Sequence, residues 1–555
     1  MKKIIKISSL LLIVMGILIG CTVDKDPEDS SAGSDDSSIE DLVASPEELE
    51  PYGKYDETLT YTVGKVIPGN PKLPDGDTYE DNDYTEYLKE VLNIQNVNDF
   101  EAQSGDNYDQ RVSMAIATED LPDIMVVGLE TLHQLVENDL IADLTEVYET
   151  STTDRVKEMY DSYDGRAIDL ATFDGKIMAL PGTQTNNVPT MLWIRQDWMD
   201  KLGLDAPKTV DDLEEILTAF IEENPGDNEP GRTIGLGMSE AIGGLYGALF
   251  QADHMLSTFD SFPRQWIEQD GEVIYGSITE GTKEGLAKLA DWYDKGLIDP
   301  QLAVRDSVES ILTNGEAGAF FGPWWASDYP LNDAKKIDPE ADWQPYIISD
   351  EDGKVKAFTQ NPTDGFYVVR KGFEHPELLP KIASVLNDKL VYEDYNYEPI
   401  VEFNKQGYDG GKPLDILINY STATTDMHDD IVATIDGEKD PETLNIDDYA
   451  QYQKVKAYLD DPENADENAW SGYMSRIVST GLMKDTELEE VHPVFFGQTP
   501  TMKLKWTNLV KLEDEAFLKI VTGEEDIDYF DEFVETWKKT GGDEITQEIE
   551  EAIKQ

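Results

Sequence analysis

Basic residues are scarce in this sequence, and so are cysteines and long apolar runs. The 555 residues include 44 Lys plus Arg against 115 Asp plus Glu, which gives a formal net charge of −71. Nucleic-acid affinity comes largely from Lys and Arg on phosphates, and docking to anionic lipid headgroups also needs basic residues. The charge therefore excludes DNA, RNA and an anionic lipid surface as electrostatic partners.

Cysteine occurs once, at Cys21. It has no partner for an intrachain disulfide, and a cysteine zinc cluster is excluded. Three lysines precede a short apolar run at residues 7–19, which predicts a signal peptide over residues 1–20. Leu18-Ile19-Gly20-Cys21 resembles the bacterial lipobox, in which the cysteine becomes the first mature residue and carries the lipid. The alternative is a buried cysteine behind an N-terminal membrane anchor.

An acidic stretch follows the cysteine. Residues 22–51 contain eleven acidic residues, six serines and one lysine, with no apolar periodicity. Such a composition cannot bury enough surface to fold. We therefore predict a disordered tether over residues 21–56 that holds a globular body away from the membrane, and any binding or catalytic function lies beyond it.

The body alternates short β-rich runs with helical periodicity, which predicts α/β architecture with mainly parallel sheets. Thr209 is a predicted N-cap, and Gly541-Gly542 are predicted to end the helix at 530–537. The stretch 391–470 gives no clear pattern, and its structure stays open. The predicted strands are Leu59–Val63, Ile124–Val127, Leu192–Ile194, Ala319–Phe321 and Phe366–Val369.

Enzyme signatures are missing. The five histidines are widely separated, and the sequence has no H-E-x-x-H, no phosphate-binding glycine motif and no G-x-S-x-G. A pair of carboxylates placed for glycoside hydrolysis stays open among so many acids. The segment 224–235 carries several oxygen donors but lacks the spacing of a calcium loop, so a polar turn is favoured and no metal site is predicted.

Several motifs in a fixed order resemble the bacterial extracellular solute-binding proteins. Ala117–Ile124 is similar to that family's A-x-G-x-x-P-D-I segment, and Asp174–Pro181 to its "DGKIYALP" hairpin. Trp193–Gly203 with Pro207-Lys208-Thr209 resembles its "IRxDWLDKLGLxxPxT" block. The remaining matching segments are Asp143–Thr145, Gly318–Trp325, Asp364–Val369, Ile520–Gly523 and Trp537–Gly542.

This resemblance implies a two-lobed periplasmic-binding-protein-like (Venus flytrap) fold, type II, with crossing hinge strands. One lobe would comprise 57–185 and 358–390, and the other 186–357 and 391–555. The implied function is that of a monomeric, non-enzymatic lipoprotein on the extracytoplasmic face of the cell membrane. It would bind a sugar or oligosaccharide without a cofactor and deliver it to the permease subunits of an ABC transporter.

Aromatic rings stack on the C–H faces of sugars, while Asp, Asn and Arg bind hydroxyl groups. Trp324 and Trp325 follow an apolar strand, where ligands of α/β folds tend to bind. Trp266 lies in polar, loop-like sequence, and Tyr246 follows a Gly-Gly turn. We predict ligand contacts for these four residues, with core packing as the alternative for the tryptophans.

Three polar residues complete the predicted ligand site. Asn361 and Asp364 precede the return strand, and a turn is their competing role. Asn82 lies in the first strand-to-helix loop, where helix N-capping is the alternative. Trp193 is predicted to lie in the core or hinge, and Arg195 to pair with a carboxylate.

Three other functions remain open from sequence. A secreted glycosidase would release new reducing ends from an oligosaccharide. A peptide-binding importer component would need backbone-reading and charge-pairing residues in its cleft. A structural adhesin would have no closing cleft.

Overall fold

A five-stranded and a four-stranded β-sheet organise the folded chain, and three two-stranded sheets accompany them in the described residues. The computed structural model describes residues 45–68, 72–185, 190–269, 271–305, 307–359, 361–363, 365–406 and 408–554. Cys21 and the predicted signal peptide lie outside these residues. The strands are β1 (Leu59–Ile67), β2 (Ile94–Gln103), β3 (Ile124–Val127), β4 (Thr172–Phe173), β5 (Lys176–Ile177), β6 (Leu180–Pro181), β7 (Met191–Arg195), β8 (Ile234–Gly237), β9 (Trp266–Gln269), β10 (Glu272–Tyr275), β11 (Ala317–Gly322), β12 (Trp343–Tyr346), β13 (Val355–Phe358), β14 (Phe366–Val369) and β15 (Leu488–Val491).

The first sheet has the strand order β2-β1-β3-β14-β6. Strand β1 runs parallel to β2 and β3, whereas β14 runs antiparallel to β3 and β6. The apolar sequences of β3 and β14 are almost wholly buried. Burial on both faces is typical of strands inside a layered α/β fold, and it explains their lack of polar alternation.

The second sheet has the strand order β12-β7-β11-β8, and its central strands β7 and β11 are buried at every position. Strand β11 is parallel to β8 but antiparallel to β7, which is antiparallel to β12. The α/β prediction is therefore confirmed, but the prediction of mainly parallel sheets is wrong. The reversed strands β7 and β14 are the ones reached when the chain passes from one sheet to the other.

Helices cover both sheets and fill most of the C-terminal third. No described helix is both long enough and apolar enough to cross a membrane. The α-helices are α1 (Asp83–Leu92), α2 (Asp106–Thr118), α3 (Leu129–Glu137), α4 (Thr145–Ser151), α5 (Asp154–Asp161), α6 (Arg166–Asp169), α7 (Gln196–Leu202), α8 (Val210–Glu223), α9 (Asp253–Ser257), α10 (Glu280–Asp294), α11 (Glu309–Thr313), α12 (Leu331–Ile337), α13 (Leu378–Ser384), α14 (Glu398–Lys405), α15 (Ala423–Ile435), α16 (Ile446–Asp460), α17 (Glu467–Tyr473), α18 (Thr480–Asp485), α19 (Pro500–Val521), α20 (Tyr529–Trp537) and α21 (Asp543–Ala552).

The helix signals of the sequence are partly confirmed. Thr209 caps α8 through a reciprocal capping box with Asp212. The glycine pair after α20 does not end the helical chain, because α21 follows it. Gly541 has a φ of 156°, so the pair marks a kink between two helices. The unassigned stretch 391–470 is largely helical and contains α14 to α16 and the first residues of α17.

The chain crosses between the two sheets more than once. It leaves the first sheet after β6 to form β7 and returns between β12 and β14. A later segment, 417–421, lies against the residues that follow β6 of the first sheet. The Thr183 N–H donates to Leu417 O at 2.7 Å, and the Asn419 N–H donates to Thr183 Oγ1 at 2.8 Å. The predicted lobe boundary at residue 390 stays a prediction, and these contacts favour a later boundary.

Part of the predicted tether is folded onto the body. Leu49 and Tyr55 are buried, and the Tyr55 hydroxyl donates to Glu377 at 2.9 Å. The buried Lys381 ammonium donates to the carbonyl oxygens of Glu48 and Gly53. The prediction of disorder through residue 56 is therefore wrong for residues 45–56, because the apolar side chains of this part find a place in the core.

Candidate ligand-binding site

A cavity of about 660 Å³ lies between loops that are far apart in sequence. We call it the large cavity. Its volume falls in the range of small-molecule binding sites, roughly 300–1,000 Å³. It is lined by Ser162, Tyr163, Asp164, Arg166, Pro362, Ser421, Glu490, His492, Pro493 and Phe496.

One wall of the large cavity is the turn between α5 and α6. Asp164 and Gly165 have φ of 56° and 80°, and these two successive left-handed residues turn the chain sharply. Helix α5 is fixed to the first sheet because the Tyr160 hydroxyl donates to Pro181 O at 2.7 Å. Tyr163 is only 2% exposed, so its ring is held in place by packing.

The same wall is extended by the segment before α15. The Ser421 N–H donates to Ser162 Oγ at 2.9 Å, and the Ser421 hydroxyl donates to Ser162 O at 2.7 Å. This reciprocal pair joins residues 259 positions apart in sequence. Both hydroxyl protons are already donated, that of Ser421 to Ser162 O and that of Ser162 to Met159 O. The hydroxyl oxygens of the wall can therefore accept hydrogen bonds from a polar ligand.

The opposite wall is the loop between β15 and α19. The Thr359 N–H donates to Val491 O at 3.0 Å, and Thr359 Oγ1 lies 2.7 Å from His492 Nδ1. Farther along, the Val494 N–H donates to Trp266 O at 2.9 Å. Phe495 packs against the core around the second sheet, whereas its neighbour Phe496 lines the cavity. The two walls thus belong to the regions of the two sheets.

The chemical groups of the large cavity suit hydroxyl-rich ligands. Asp164 and Glu490 supply carboxylates that accept hydrogen bonds, while Arg166 and His492 supply nitrogen donors. The Arg166 Nε–H donates to Tyr163 O at 3.2 Å. The partly exposed Phe496 adds aromatic surface, so the cavity combines polar groups with an apolar face.

The two tryptophans predicted from the strand end do not line the large cavity. Both follow β11 as expected, and both are half-buried. The Arg476 guanidinium lies 5.0 Å from the centre of the Trp324 ring and also pairs with Asp328. A ligand role for Trp324 and Trp325 stays a prediction.

Trp266 is a core residue in this structure. It is 4% exposed and lies on β9 rather than in a loop. Its ring centre lies 4.5 Å from that of Tyr275 and 5.2 Å from that of Trp506. Tyr275 in turn stacks on Trp537 at 4.4 Å. The loop interpretation of Trp266 is therefore wrong, because its partners come from β10 and the C-terminal helices. We call these four residues the aromatic cluster.

Tyr246 lines a different and much smaller cavity. Its volume is about 20 Å³, which has room for roughly one water molecule and none for a sugar ring. The Tyr246 ring packs on Phe358 at 4.5 Å, and its hydroxyl donates to Pro263 O at 3.0 Å. Burial raises the pKa of the neighbouring Asp253 to about 7 and lowers the pKa of His254 to about 4.

The described polar residues that were predicted to bind ligand accept hydrogen bonds from backbone N–H groups. Asn82 is 5% exposed and caps α1, with its Oδ1 accepting from the Tyr84 and Thr85 N–H groups. Asn361 Oδ1 accepts from the Thr363 N–H at 3.2 Å, in the turn named as its alternative. Asp364 lies outside the described residues. Asn82 and Asn361 do not line the large cavity, although Pro362 beside Asn361 does.

Two predicted structural roles are confirmed. Trp193 is fully buried on β7, and its Nε1–H donates to Pro323 O at 3.2 Å. Arg195 makes a two-point contact with Asp197, at 2.7 Å and 2.6 Å.

The loop at 224–235 does not fit a calcium ion. Asn224 Oδ1 already accepts from the Asn228 N–H and the Thr233 hydroxyl. The Lys201 ammonium donates to Pro225 O at 2.7 Å and to Asp227 at 3.0 Å. Since protein donors and a lysine cation occupy these oxygens, the segment has the character of a polar turn, which is the interpretation favoured from sequence.

Family and fold comparisons agree with this geometry. The sequence model described as "Bacterial extracellular solute-binding protein" matches residues 84–380. The chain belongs to this family. Its α/β fold is that of the two-lobed solute-binding proteins, as the order of the sequence motifs predicted.

Three similar proteins illustrate the relationship. The polygalacturonan/rhamnogalacturonan-binding protein YtcQ of Bacillus subtilis is 24% identical over 392 residues, covering 69% of this chain and 71% of YtcQ. Lipoprotein LipO of the same organism is 22% identical, covering 70% and 73%. An HMO-binding solute-binding protein associated with an ABC transporter of Bifidobacterium longum infantis has a TM-score of 0.62 at 15% identity, covering 89% of this chain and 98% of that one.

The residues that line the large cavity were missed by the sequence analysis. Their only local signals are Tyr163-Asp164-Gly165-Arg166 and Phe495-Phe496-Gly497, each a short aromatic and glycine-containing turn between elements. Neither signal indicates that the two turns meet. The convergence of both turns with Ser421 became visible only from the tertiary structure.

Proposed function

We propose that this protein captures an oligosaccharide in the large cavity and delivers it to the permease of an ABC transporter. The observation that carries the proposal is the cavity itself, with walls from both sheet regions and a lining of hydroxyl, carboxylate, guanidinium and aromatic groups. Membership of the solute-binding family and the sugar-binding names of its relatives support it.

Ligand binding would act on an equilibrium between open and closed forms. A ligand that contacts both walls binds the closed form better, and it shifts the population by that difference in affinity. The closed form then presents the ligand to the permease, and no bond of the ligand is broken. The protein is accordingly a carrier and not a hydrolase.

A thermal-shift screen tests this function. Neutral and acidic oligosaccharides and short peptides would each be added to the purified protein. A ligand that binds only the native state raises the melting temperature by mass action. We expect a rise with oligosaccharides and an unchanged oligosaccharide by chromatography afterwards. Cleavage products would identify a glycosidase, and a rise with peptides alone would overturn the sugar assignment.

We also propose that Cys21 carries the lipid that holds the protein on the extracytoplasmic face of the cell membrane. The lipobox-like sequence before Cys21 and the similarity to a lipoprotein of Bacillus subtilis support this anchoring. Metabolic labelling with a clickable fatty acid should label the wild-type protein in the membrane fraction. Cys21→Ser should abolish the label and release the protein, and a labelled Cys21→Ser protein would contradict the proposal.

A further inference from the structure

Arginines in this protein almost always pair with carboxylates. The sequence contains nine arginines among 115 Asp plus Glu. Seven of the nine form an ion pair with a carboxylate in the described part of the chain, namely Arg155, Arg195, Arg232, Arg264, Arg305, Arg370 and Arg476. The two that form none with any described carboxylate are Arg111 and Arg166.

These two arginines lie in very different places. Arg111 is exposed on α2, with its guanidinium 5.7 Å from the centre of the Phe100 ring. Arg166 is half-buried and lines the large cavity. A chain with such an excess of acids has many carboxylates available for pairing. An arginine held beside a cavity without one is therefore available for an anionic group of a ligand.

The Arg166 guanidinium is oriented by the protein. Its Nε–H donates to Tyr163 O at 3.2 Å, while Tyr163 itself is packed into the wall. This contact uses one edge of the guanidinium and leaves the terminal Nη groups as donors. A planar pair of N–H donors matches the two oxygens of a carboxylate, which gives a directional, charge-assisted contact.

We propose that Arg166 binds a carboxylate group of the ligand, so that the ligand is an acidic oligosaccharide such as one containing uronic acid units. This proposal rests on the proposed function. It runs against the net charge of the chain, but charges farther away than about 8 Å are largely screened at physiological ionic strength. A direct contact with Arg166 is not screened in this way.

The other charged groups of the large cavity are compatible with this assignment. Asp164 is exposed, and Glu490 lies 3.6 Å from His492 Nε2. Carboxylates accept hydrogen bonds from the hydroxyl groups of a sugar. We therefore assign hydroxyl contacts to Asp164 and Glu490 and the carboxylate contact to Arg166.

Calorimetry with paired ligands tests the proposal. The probes are short oligogalacturonides, oligoalginates and glucuronoxylo-oligosaccharides, each with its carboxyl-reduced, neutral counterpart. Arg166→Met removes the charge from a side chain of similar length. Arg166→Lys keeps the charge but lacks the planar pair of N–H donors. Arg111→Met is the matched control. Melting temperatures of all variants verify that they fold.

We expect at least one acidic oligosaccharide to bind better than its reduced form. Arg166→Met should lower the affinity for the acidic ligand by about 10- to 100-fold, because a charged hydrogen bond is lost. The affinity for the reduced form should be nearly unchanged. Arg166→Lys should fall in between, and Arg111→Met should match wild type. Added salt should lower the affinity for the acidic ligand only.

Other outcomes overturn the proposal in distinguishable ways. Preferential binding of neutral oligosaccharides, or an equal effect of Arg166→Met on both members of a pair, would refute the role of Arg166 and leave the oligosaccharide function standing. Binding of peptides but of no oligosaccharide would refute both.

Discussion

The aromatic cluster and the large cavity use similar side chains for opposite purposes. In the cluster, the rings of Trp266 and its three partners pack on one another, and Trp266 and Trp537 are at most 4% exposed. In the cavity, the partly exposed Phe496 presents ring surface beside charged and hydroxyl groups. An abundance of aromatic residues in a sequence therefore does not by itself indicate a sugar site. What matters is whether a ring finds partners within the protein.

The largest expected effect comes from opening the aromatic cluster. Trp266→Ala should lower the free energy of unfolding by about 3–5 kcal/mol, because it removes a large buried side chain. Chemical denaturation measures this loss, and Trp266→Phe should lose less. Ligand affinity of the folded fraction should be unchanged. A stable Trp266→Ala protein that no longer binds would place Trp266 in the ligand site and break the comparison.

Two adjacent phenylalanines sharpen the comparison. Phe496→Ala should weaken oligosaccharide binding by roughly 10-fold, as truncation of a central contact does, with little change in melting temperature. Phe495→Ala should instead lower the melting temperature and leave the affinity nearly unchanged, because Phe495 packs against the core. Calorimetry measures the affinity of both variants, and thermal melts measure their melting temperatures. Equal effects on affinity would contradict the assignment of the two side chains.

Changes of pH should affect the buried region around the small cavity and the aromatic cluster. Burial raises the pKa of Asp253 and of Glu513 to about 7, so the folded state binds more protons than the unfolded state below that pH. Stability is therefore lost as pH rises through 7. The lowered pKa of His254 acts in the opposite direction only below its ordinary pKa of about 6.5.

Between about pH 6.5 and 8, His254 is neutral in both states. Over this range, the ionisation of each of the two carboxyls should lower the free energy of unfolding by roughly 1 kcal/mol. Thermal melts across this range should show a falling midpoint. Asp253→Asn should remove about half of this dependence, because Glu513 still titrates, while leaving ligand affinity unchanged. The same pH dependence in wild type and in Asp253→Asn would show that the pKa of Asp253 is not raised.

The smallest expected effect concerns the loop at 224–235, which belongs to neither region. Since the Lys201 ammonium contacts Pro225 O and Asp227, neither calcium nor a chelator should shift the melting temperature or the ligand affinity. Melts with added calcium and with EDTA provide the measurement. A stabilisation by calcium that EDTA reverses would show that the loop does bind the metal.

The sequence predicted the parts of the fold whose signals are local. The bounds of Ile124–Val127 and Phe366–Val369 were predicted correctly, because buried strands read as short apolar runs. Thr209 was identified as an N-cap because the capping box is a short-range pattern. The direction of β7 and β14 was not predictable in this way, since it depends on how the chain crosses between sheets.

The candidate site depended on long-range contacts and was largely missed. Trp266 contacts Trp506 and Trp537 from the C-terminal helices, and no spacing near residue 266 reveals these partners. The cavity requires the turn at Tyr163, the segment at Ser421 and the loop at Phe496 to meet. Asn82 was named correctly as a polar loop residue, but the capping role given as its alternative is the one that its hydrogen bonds show.

A crystal structure of the protein with an oligosaccharide found in the thermal-shift screen tests the central claim most directly. The sugar should lie in the large cavity, in contact with Phe496 and with a carboxylate against Arg166. Sugar density on Trp324 and Trp325, with the large cavity occupied only by water, would contradict the account.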